Sequence, residues 1–388
     1  MPVINRIADF HEDMCRWRRD FHAHPELAFE ETRTAGVVCG LLREFGMDVH
    51  QGLATTGVVG TLRTGDGPVI GLRADLDALP LEEKNKFQHR SCHAGKMHAC
   101  GHDGHTSMLL GAARYLAETR RFKGTVHFIF QPAEEEIGGA RVMIEEGLFE
   151  KFPCESVYGM HNMPGYAAGS FALRSGPMMA ACDTFELRIG GRGSHAAMPH
   201  QGIDSIVVAA QIVTALQTIC SRNTAPVEAA VVSVTRIHGG AADNVIPDEV
   251  VLRGTTRAFT PRIRDSFEPN ILRIAGGIAA AHGARVELDY QRGYPATVNH
   301  ARETAIATAV AVEISGTERV DLDPPPTMGG EDFAYMLEAK PGCYIFIGNG
   351  PGEGGCLLHN PHYDFNDDIL TTGASYWARL VERELPLS

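Results

Sequence analysis

The chain lacks any long basic run, and 35 Lys plus Arg against 48 Asp plus Glu leave a net charge of −13 over 388 residues. A nucleic-acid or anionic-membrane surface built on bulk positive charge is therefore not expected. No uninterrupted apolar stretch approaches the roughly 20 residues of a bilayer span. The opening MPVINRIADFHEDMCRWRRDF has no basic start followed by an apolar core and a small-residue cleavage site, so no signal peptide is expected. Nine cysteines are too sparse and too irregular for a disulfide scaffold, and the odd count leaves at least one unpaired. A reducing, cytoplasmic setting fits that usage. Internal repeats and low-complexity segments are also missing. With 44% apolar and 21% charged residues the composition is that of a folded globular protein, and about 150 residues per domain predicts two or three domains. What is plentiful is histidine, with 18 residues.

Apolar residues three or four apart over the first twenty positions predict an amphipathic helix, and a second helix is expected over 32–45. Short β-rich segments at 57–64, 69–74, 125–130 and 156–161 alternate with helical stretches at 106–119 and 140–146, the rhythm of an α/β layer with a largely parallel sheet. From about Cys182 the order becomes strand 184–189, helix 205–221, strands 228–237 and 249–258, helix 263–282 and strand 285–290. That is the βαββαβ order of a ferredoxin-like module. The expected architecture is α/β. A discontinuous domain, residues 1–182 and 294–388, carries a mixed, largely parallel sheet with helices on both faces. A smaller ferredoxin-like domain, residues 183–293, is inserted into it. Pro324 to Pro326 read as an ordered loop within the returning half.

Residues 91–105, SCHAGKMHACGHDGH, crowd seven potential ligands into fifteen positions. Cys100 and His102 project in one direction if the backbone is extended, and the glycines at 101 and 104 permit a tight turn into the following helix. A thiolate with an imidazole suits zinc, and with added oxygen ligands manganese, cobalt or nickel. A structural zinc finger is a weaker alternative because no pair of C-x-x-C motifs is present. A Cys100 nucleophile with His102 or His105 as base stays open. Strand 125–130 runs into QPAEEEIGG, placing Glu134, Glu135 and Glu136 beyond a strand's carboxyl end, where open α/β sheets present ligand sites. Next to a metal, one carboxylate can bind it while its neighbour works on the water it activates. His161 and His359 occupy similar positions after a strand and in a Gly-rich loop. With Cys100, His102 and Glu135 they make five ligands for two metals, which need a bridging group when about 3.5 to 4 Å apart.

HACGHD at 98–103, FQPAEE at 130–135, GMH at 159–161, GRGSHAAMPH at 191–200, NVIPDE at 244–249, GGEDF at 329–333 and LLHNPHYDFND at 357–367 occur in one order along the chain. Together they resemble the M20 metallopeptidases, in the branch of hippurate hydrolases and related N-acyl-amino-acid amidohydrolases. The resemblance runs from RRDFHAHPEL at 18–27 onwards. It implies two divalent metal ions (Mn, Zn, Co or Ni), with Cys100 bridging, His102 and His161 completing one site and Glu135 and His359 the other. Glu134 matches the general acid/base. His195, from the inserted lid, matches a histidine that reaches a neighbouring active site across a dimer, and Asn244 and Arg257 are candidate substrate contacts. Asp75 is expected behind the ligands, and His22 and His24 to be structural. Departures are Ser194, where glycine is common, and Glu136, where glycine often stands. The implied reaction is hydrolysis of N-acyl amino acids by a small-molecule enzyme that assembles as a dimer or tetramer through the lid, with no nucleic-acid or membrane partner. A dipeptidase or carboxypeptidase, or a non-catalytic binding protein, are the rivals.

Overall fold

The computed structural model describes residues 3–135, 138–351 and 357–387, and Glu136, expected above to depart from the motif, lies outside them. The chain divides into two compact units. One comprises Met1–Met178, Thr297–Pro325 and Glu331–Ser388; the other comprises Met179–Ala296 with Pro326–Gly330. The returning chain thus re-enters the second unit just after Pro325, so the triproline loop straddles the crossing instead of lying within the returning half. Its tie is backbone pairing, the Ala180 N–H donating to Thr327 and Gly329 carbonyls at 3.1 and 3.0 Å.

The first unit is built on an eight-stranded sheet in the order Asp48–Leu53, Gly57–Arg63, Thr125–Gln131, Val69–Asp75, Ser156–Pro164, Gly342–Gly350, Phe171–Ala172 and Val320–Asp321. The four strands from Thr125–Gln131 to Gly342–Gly350 are mutually parallel, and the Asp48–Leu53 and Gly57–Arg63 strands run antiparallel at one side. Every residue of Thr125–Gln131 and of Gly342–Gly350 is buried, so both faces of the sheet are covered there. The helix His102–Thr119 packs with Leu370–Glu384 and His11–Ala23 over the Val69–Asp75 strand. The single helix expected over the first twenty residues is two, Asn5–Ala8 and His11–Ala23. The chain tightens at Asp9–Phe10, where the Phe10 N–H bonds the Ile7 carbonyl at 3.0 Å. That turns Phe10 into the core beneath the Arg6 and Arg114 guanidinium groups.

The second unit is a four-stranded antiparallel sheet ordered Ala230–His238, Glu249–Ala258, Ala181–Gly190 and Arg285–Arg292. Ala181–Gly190 alternates strictly between more and less buried positions, the period-2 signature of a sheet with one covered face. Helices Ser205–Leu216 and Pro261–Ala281 supply that cover through Ile212, Leu216, Phe267 and Ile271, packed with Phe185, Leu187 and Leu252. Both begin on readable caps: the Asp204 carboxylate accepts from the N–H groups of Ile206 and Val207, and Thr260 precedes a first-turn proline. The stretch Ser205–Asn223 is long and apolar enough for a membrane span by length and composition alone. Its buried side is committed to this core, as in an ordinary amphipathic surface helix.

Candidate active site

In the first unit, three successive parallel strands deliver functional groups at or near their carboxyl ends. Val69–Asp75 leads to Asp75 and Asp77, Thr125–Gln131 to Glu134 and Glu135, and Ser156–Pro164 carries His161. Cys100 and His102 flank the turn into the helix His102–Thr119. Gly101 stands between them at φ +104°, and a Cβ there would lie 2.1 Å from the Asn162 Nδ2. Glycine is thus required both for the left-handed turn and for the close approach. Asn162 occupies that space because its amide donates to the Cys100 carbonyl at 2.7 Å and accepts from the Tyr363 hydroxyl at 2.6 Å.

Potential ligand atoms of Cys100, His102 and His161 lie within 4.8 Å of one another, and so do those of Cys100, Glu135 and His359, and those of His102, Glu134 and Glu135. Cys100 Sγ stands 3.3 Å from His161 Nε2. His102 Nδ1 lies 2.8 Å from the Asp77 carbonyl and His161 Nδ1 lies 2.6 Å from the Asn162 carbonyl, which leaves each Nε2 free to act as a ligand. The His102 Nε2 and Glu135 Oε1 atoms are buried with no hydrogen-bond partner. Glu135 Oε1 is 3.3 Å from His359 Nε2 and 3.9 Å from His102 Nε2. Two orphaned buried donors beside a thiol and two further imidazoles fit a divalent cation of borderline softness.

The field at the site is strongly negative. Burial, with the Glu135 and Glu134 carboxylates, pushes the Cys100 thiol well above its usual range. Burial, with Glu331 and Glu135, does the same to the Glu134 carboxyl. Burial alone would lower His102, but Asp75 and Asp77 outweigh it and push it up to about 10. A dication reverses each of these, favouring thiolate, carboxylate and neutral imidazole.

Glu134 is only 6% exposed, and its Oε1 accepts from the Asp332 N–H at 3.3 Å. Ala133, just before it, adopts φ +56°, and His359 adopts φ +59°. Left-handed backbone costs a non-glycine residue on the order of 1 kcal/mol or more, so each is held by its surroundings. The His359 N–H donates to the Ala99 carbonyl at 2.7 Å, tying that loop to the Cys100 segment.

Behind these groups the buried Arg73 guanidinium donates to Asp75 at 2.7 Å, to Glu331 at 2.9 Å and to Asp332 at 3.0 Å. Asp75 also bonds His105 Nδ1 at 2.6 Å, and His22 Nδ1 lies 2.8 Å from Asp103. The half-buried His24 ring bonds the Asp20 carbonyl at 2.8 Å. Asp77, Asn162, Glu31 and Asp332, which orient the central groups, carry no motif spacing of their own in the sequence. Only the DLDALP, HNMPG and GGEDF contexts around three of them offered a hint.

The second unit brings His195 and Asn244 together. Ser194–His195 pairs antiparallel with Val245–Ile246, and the Ala196 N–H donates to the Asn244 carbonyl at 2.9 Å. His195 and Asn244 are both exposed, and His195 Nδ1 accepts from the Ala197 N–H at 3.0 Å. Arg257 is separate from that ribbon, on Glu249–Ala258 between Val231 and Cys182 of the neighbouring strands.

Residues 71–383 match Peptidase family M20/M25/M40. The chain is 41% identical over 386 residues to hippurate hydrolase of Campylobacter jejuni, covering 99% of this chain and 100% of that one. It is 40% identical over 378 residues to N-acetylcysteine deacetylase of Bacillus subtilis, covering 96% and 97%. The crystal structure of the Bacillus subtilis YXEP protein, a dinuclear metal-binding peptidase from the M20 family, superposes with a TM-score of 0.84 at 36% identity, covering 96% and 98%. With that extent of matching, the chain belongs to Peptidase family M20/M25/M40.

Proposed function

We propose that the protein hydrolyses the amide bond of N-acyl amino acids, releasing a carboxylic acid and a free amino acid. The observation that carries this reading is the convergence of Cys100, His102, Glu135, His161 and His359 around the buried Glu134 carboxylate. Two divalent ions, of zinc, manganese, cobalt or nickel, would be held by Cys100, His102, Glu135, His161 and His359. Such ions acidify a water molecule and polarise an acyl carbonyl. Glu134 takes the proton of the attacking water and delivers it to the departing amine, a role its buried carboxylate beside the proposed ligands suits. Its acceptor atom is steadied by the Asp332 N–H.

On the second unit, His195 is assigned to the developing oxyanion, within its own chain or across a dimer. Asn244 is assigned to substrate, and Arg257 to the substrate α-carboxylate, which its planar fork suits. Assembly of copies through the second unit is supported by the exposed Ile206 and Val207 on its helix and by Ile237 on the edge strand Ala230–His238. A reducing cytoplasmic setting is supported by the eight cysteines among the described residues, all of them free.

The deciding experiment strips the protein of metal, reloads it with zinc or manganese, and follows amino-acid release from hippurate, N-acetyl amino acids and dipeptides in parallel. Metal-dependent release from the N-acyl substrates is expected. Faster dipeptide cleavage would transfer the assignment to a dipeptidase or carboxypeptidase, and no release with any metal would overturn catalysis by this site.

A further inference from the structure

We propose that Glu31 is a positioning residue for the turn that carries Glu134 and Glu135, an inference that rests on the roles proposed for those two carboxylates. Glu31 lies immediately before the helix Thr32–Glu44, far from the metal-ligand motifs in sequence, and is fully buried. Its Oε1 accepts the Ala133 N–H at 2.9 Å and its Oε2 accepts the Thr56 hydroxyl at 2.6 Å. Among the described residues no cation pairs with it. A buried carboxyl without a counter-ion is costly unless its oxygens find specific hydrogen-bond donors. What the carboxylate does hold is one backbone N–H in a left-handed conformation, at the residue directly before Glu134.

The rest of the turn is gripped from other sides. The Ala133 carbonyl accepts the Gly139 N–H at 2.9 Å, and a Cβ on Gly139 would lie 1.8 Å from the Pro132 carbonyl oxygen. Asp77 Oδ2 accepts the Glu135 N–H at 3.0 Å, and Asp332 Oδ2 accepts the Ala140 N–H at 2.9 Å. Glu31 and Asp77 therefore fix the N–H groups at positions 133 and 135, and the two working carboxylates are presented from between those anchors. Asp77 also touches His102, so its loss would disturb a proposed ligand directly. Among the described residues the Glu31 side chain hydrogen-bonds only the Ala133 N–H and the Thr56 hydroxyl, and neither is a proposed ligand, which makes it the cleaner probe of positioning.

Glu31→Ala leaves the Ala133 N–H buried and unpaired. Glu31→Gln keeps both contacts, because the amide oxygen accepts from Ala133 and the Thr56 hydroxyl can rotate to accept from the amide nitrogen. For Glu31→Ala we expect kcat on a metal-dependent N-acyl substrate to fall about 10- to 100-fold with KM within about threefold, and zinc affinity, read by competition with a chelating dye, to fall about 10- to 100-fold. Glu31→Gln should stay within about threefold of the unmodified protein in all three measurements. An Ala variant that retains kcat and zinc affinity, or a Gln variant that loses as much as the Ala variant, overturns the proposal. Should the Ala variant fail to fold, Thr56→Val removes only the hydroxyl on Oε2. Lower kcat at unchanged KM is then expected, and unchanged kcat overturns the proposal. Glu134→Gln assayed alongside separates the two readings: retained turnover there removes the role given to Glu134, while dye competition on Glu31→Ala still reports whether Glu31 holds Glu135 in place.

Discussion

Cys100 Sγ and His161 Nε2 stand 3.3 Å apart, bringing together two groups that lie 61 residues apart in the chain. Burial and the Glu135 and Glu134 carboxylates hold the thiol well above its usual range, so without a cation it is neutral and a poor nucleophile. Binding a divalent ion must then expel the thiol proton. Chelator treatment should abolish turnover and added zinc restore it, whereas iodoacetamide should leave the metal-loaded protein active. Loss of activity to iodoacetamide with indifference to chelators would instead assign Cys100 as the nucleophile. Proton release on zinc addition, followed with a weakly buffered indicator dye, gives an independent measure.

Gly101 tests how tightly the ligand turn is built. Alanine at φ +104° would set its Cβ 2.1 Å from Asn162 Nδ2 and 2.7 Å from the Tyr363 hydroxyl, whose mutual hydrogen bond would have to break. Gly101→Ala should cost at least about 2 kcal/mol in unfolding free energy and reduce bound metal. Gly36→Ala is the control. Gly36 sits inside the helix Thr32–Glu44 with nothing within 4 Å of an added Cβ, and should be stabilised by up to about 1 kcal/mol. Equal thermal midpoints for the two variants would contradict the packing described here.

The buried His22–Asp103 pair, at 2.8 Å, makes stability depend on pH. Burial would lower the His22 pKa, but its hydrogen bonds to Asp103 and Glu83 outweigh that and push it up to about 9. The unfolded value is near 6.5, so the folded state holds the proton more tightly. This contribution is complete below about pH 6.5 and is lost as pH rises toward 9; it amounts to the order of 3 kcal/mol. Urea unfolding of the protein and of His22→Gln should show a wide stability gap at pH 6 that narrows at pH 9.5. A gap that does not change with pH would show that the imidazole is neutral in the folded protein.

Which parts of this were readable beforehand follows from distance along the chain. The second unit declares itself through local periodicity: the alternation of Ala181–Gly190 and the caps at Asp204 and Thr260 each depend on residues a few positions apart. Cys100 and His102 stand out for the same reason, since they share one turn, whereas Glu135, His161 and His359 joined them only through their places after strands or in a Gly-rich loop and the motif resemblance. The groups that orient it are not. Asp77 reaches His102 across 25 residues, Glu31 reaches Ala133 across 102, and Asp332 reaches Ala140 across 192. Such pairings depend on the order of the parallel strands, which no local pattern encodes. The break at Asp9–Phe10 was hidden differently, since Ile7, Phe10 and Met14 keep helical spacing across the tightened turn.

Arg257 separates a substrate contact from a mere strand charge. It is half-buried on Glu249–Ala258, and among the described residues its guanidinium makes no ion pair and no side-chain hydrogen bond. Burial draws its pKa down from the ordinary value, yet an arginine stays charged at any working pH. A desolvated cation without a partner is a standing cost in the free protein, and an arriving carboxylate offsets it. Charge-assisted hydrogen bonds of this kind contribute about 1.5 to 3 kcal/mol, so Arg257→Ala should raise KM for an N-acyl amino acid roughly 10- to 150-fold while kcat changes by only a few-fold. The thermal midpoint should hold or rise, because the uncompensated charge is gone. Arg257→Lys should recover part of the affinity, since a point charge replaces the fork without its paired donors. A substrate amide lacking the α-carboxylate charge should be cleaved by Arg257→Ala and by the unmodified protein with similar KM. An unchanged KM together with a lowered thermal midpoint would mark Arg257 as a packing residue of the strand, and the anchor for the substrate carboxylate would have to be sought elsewhere.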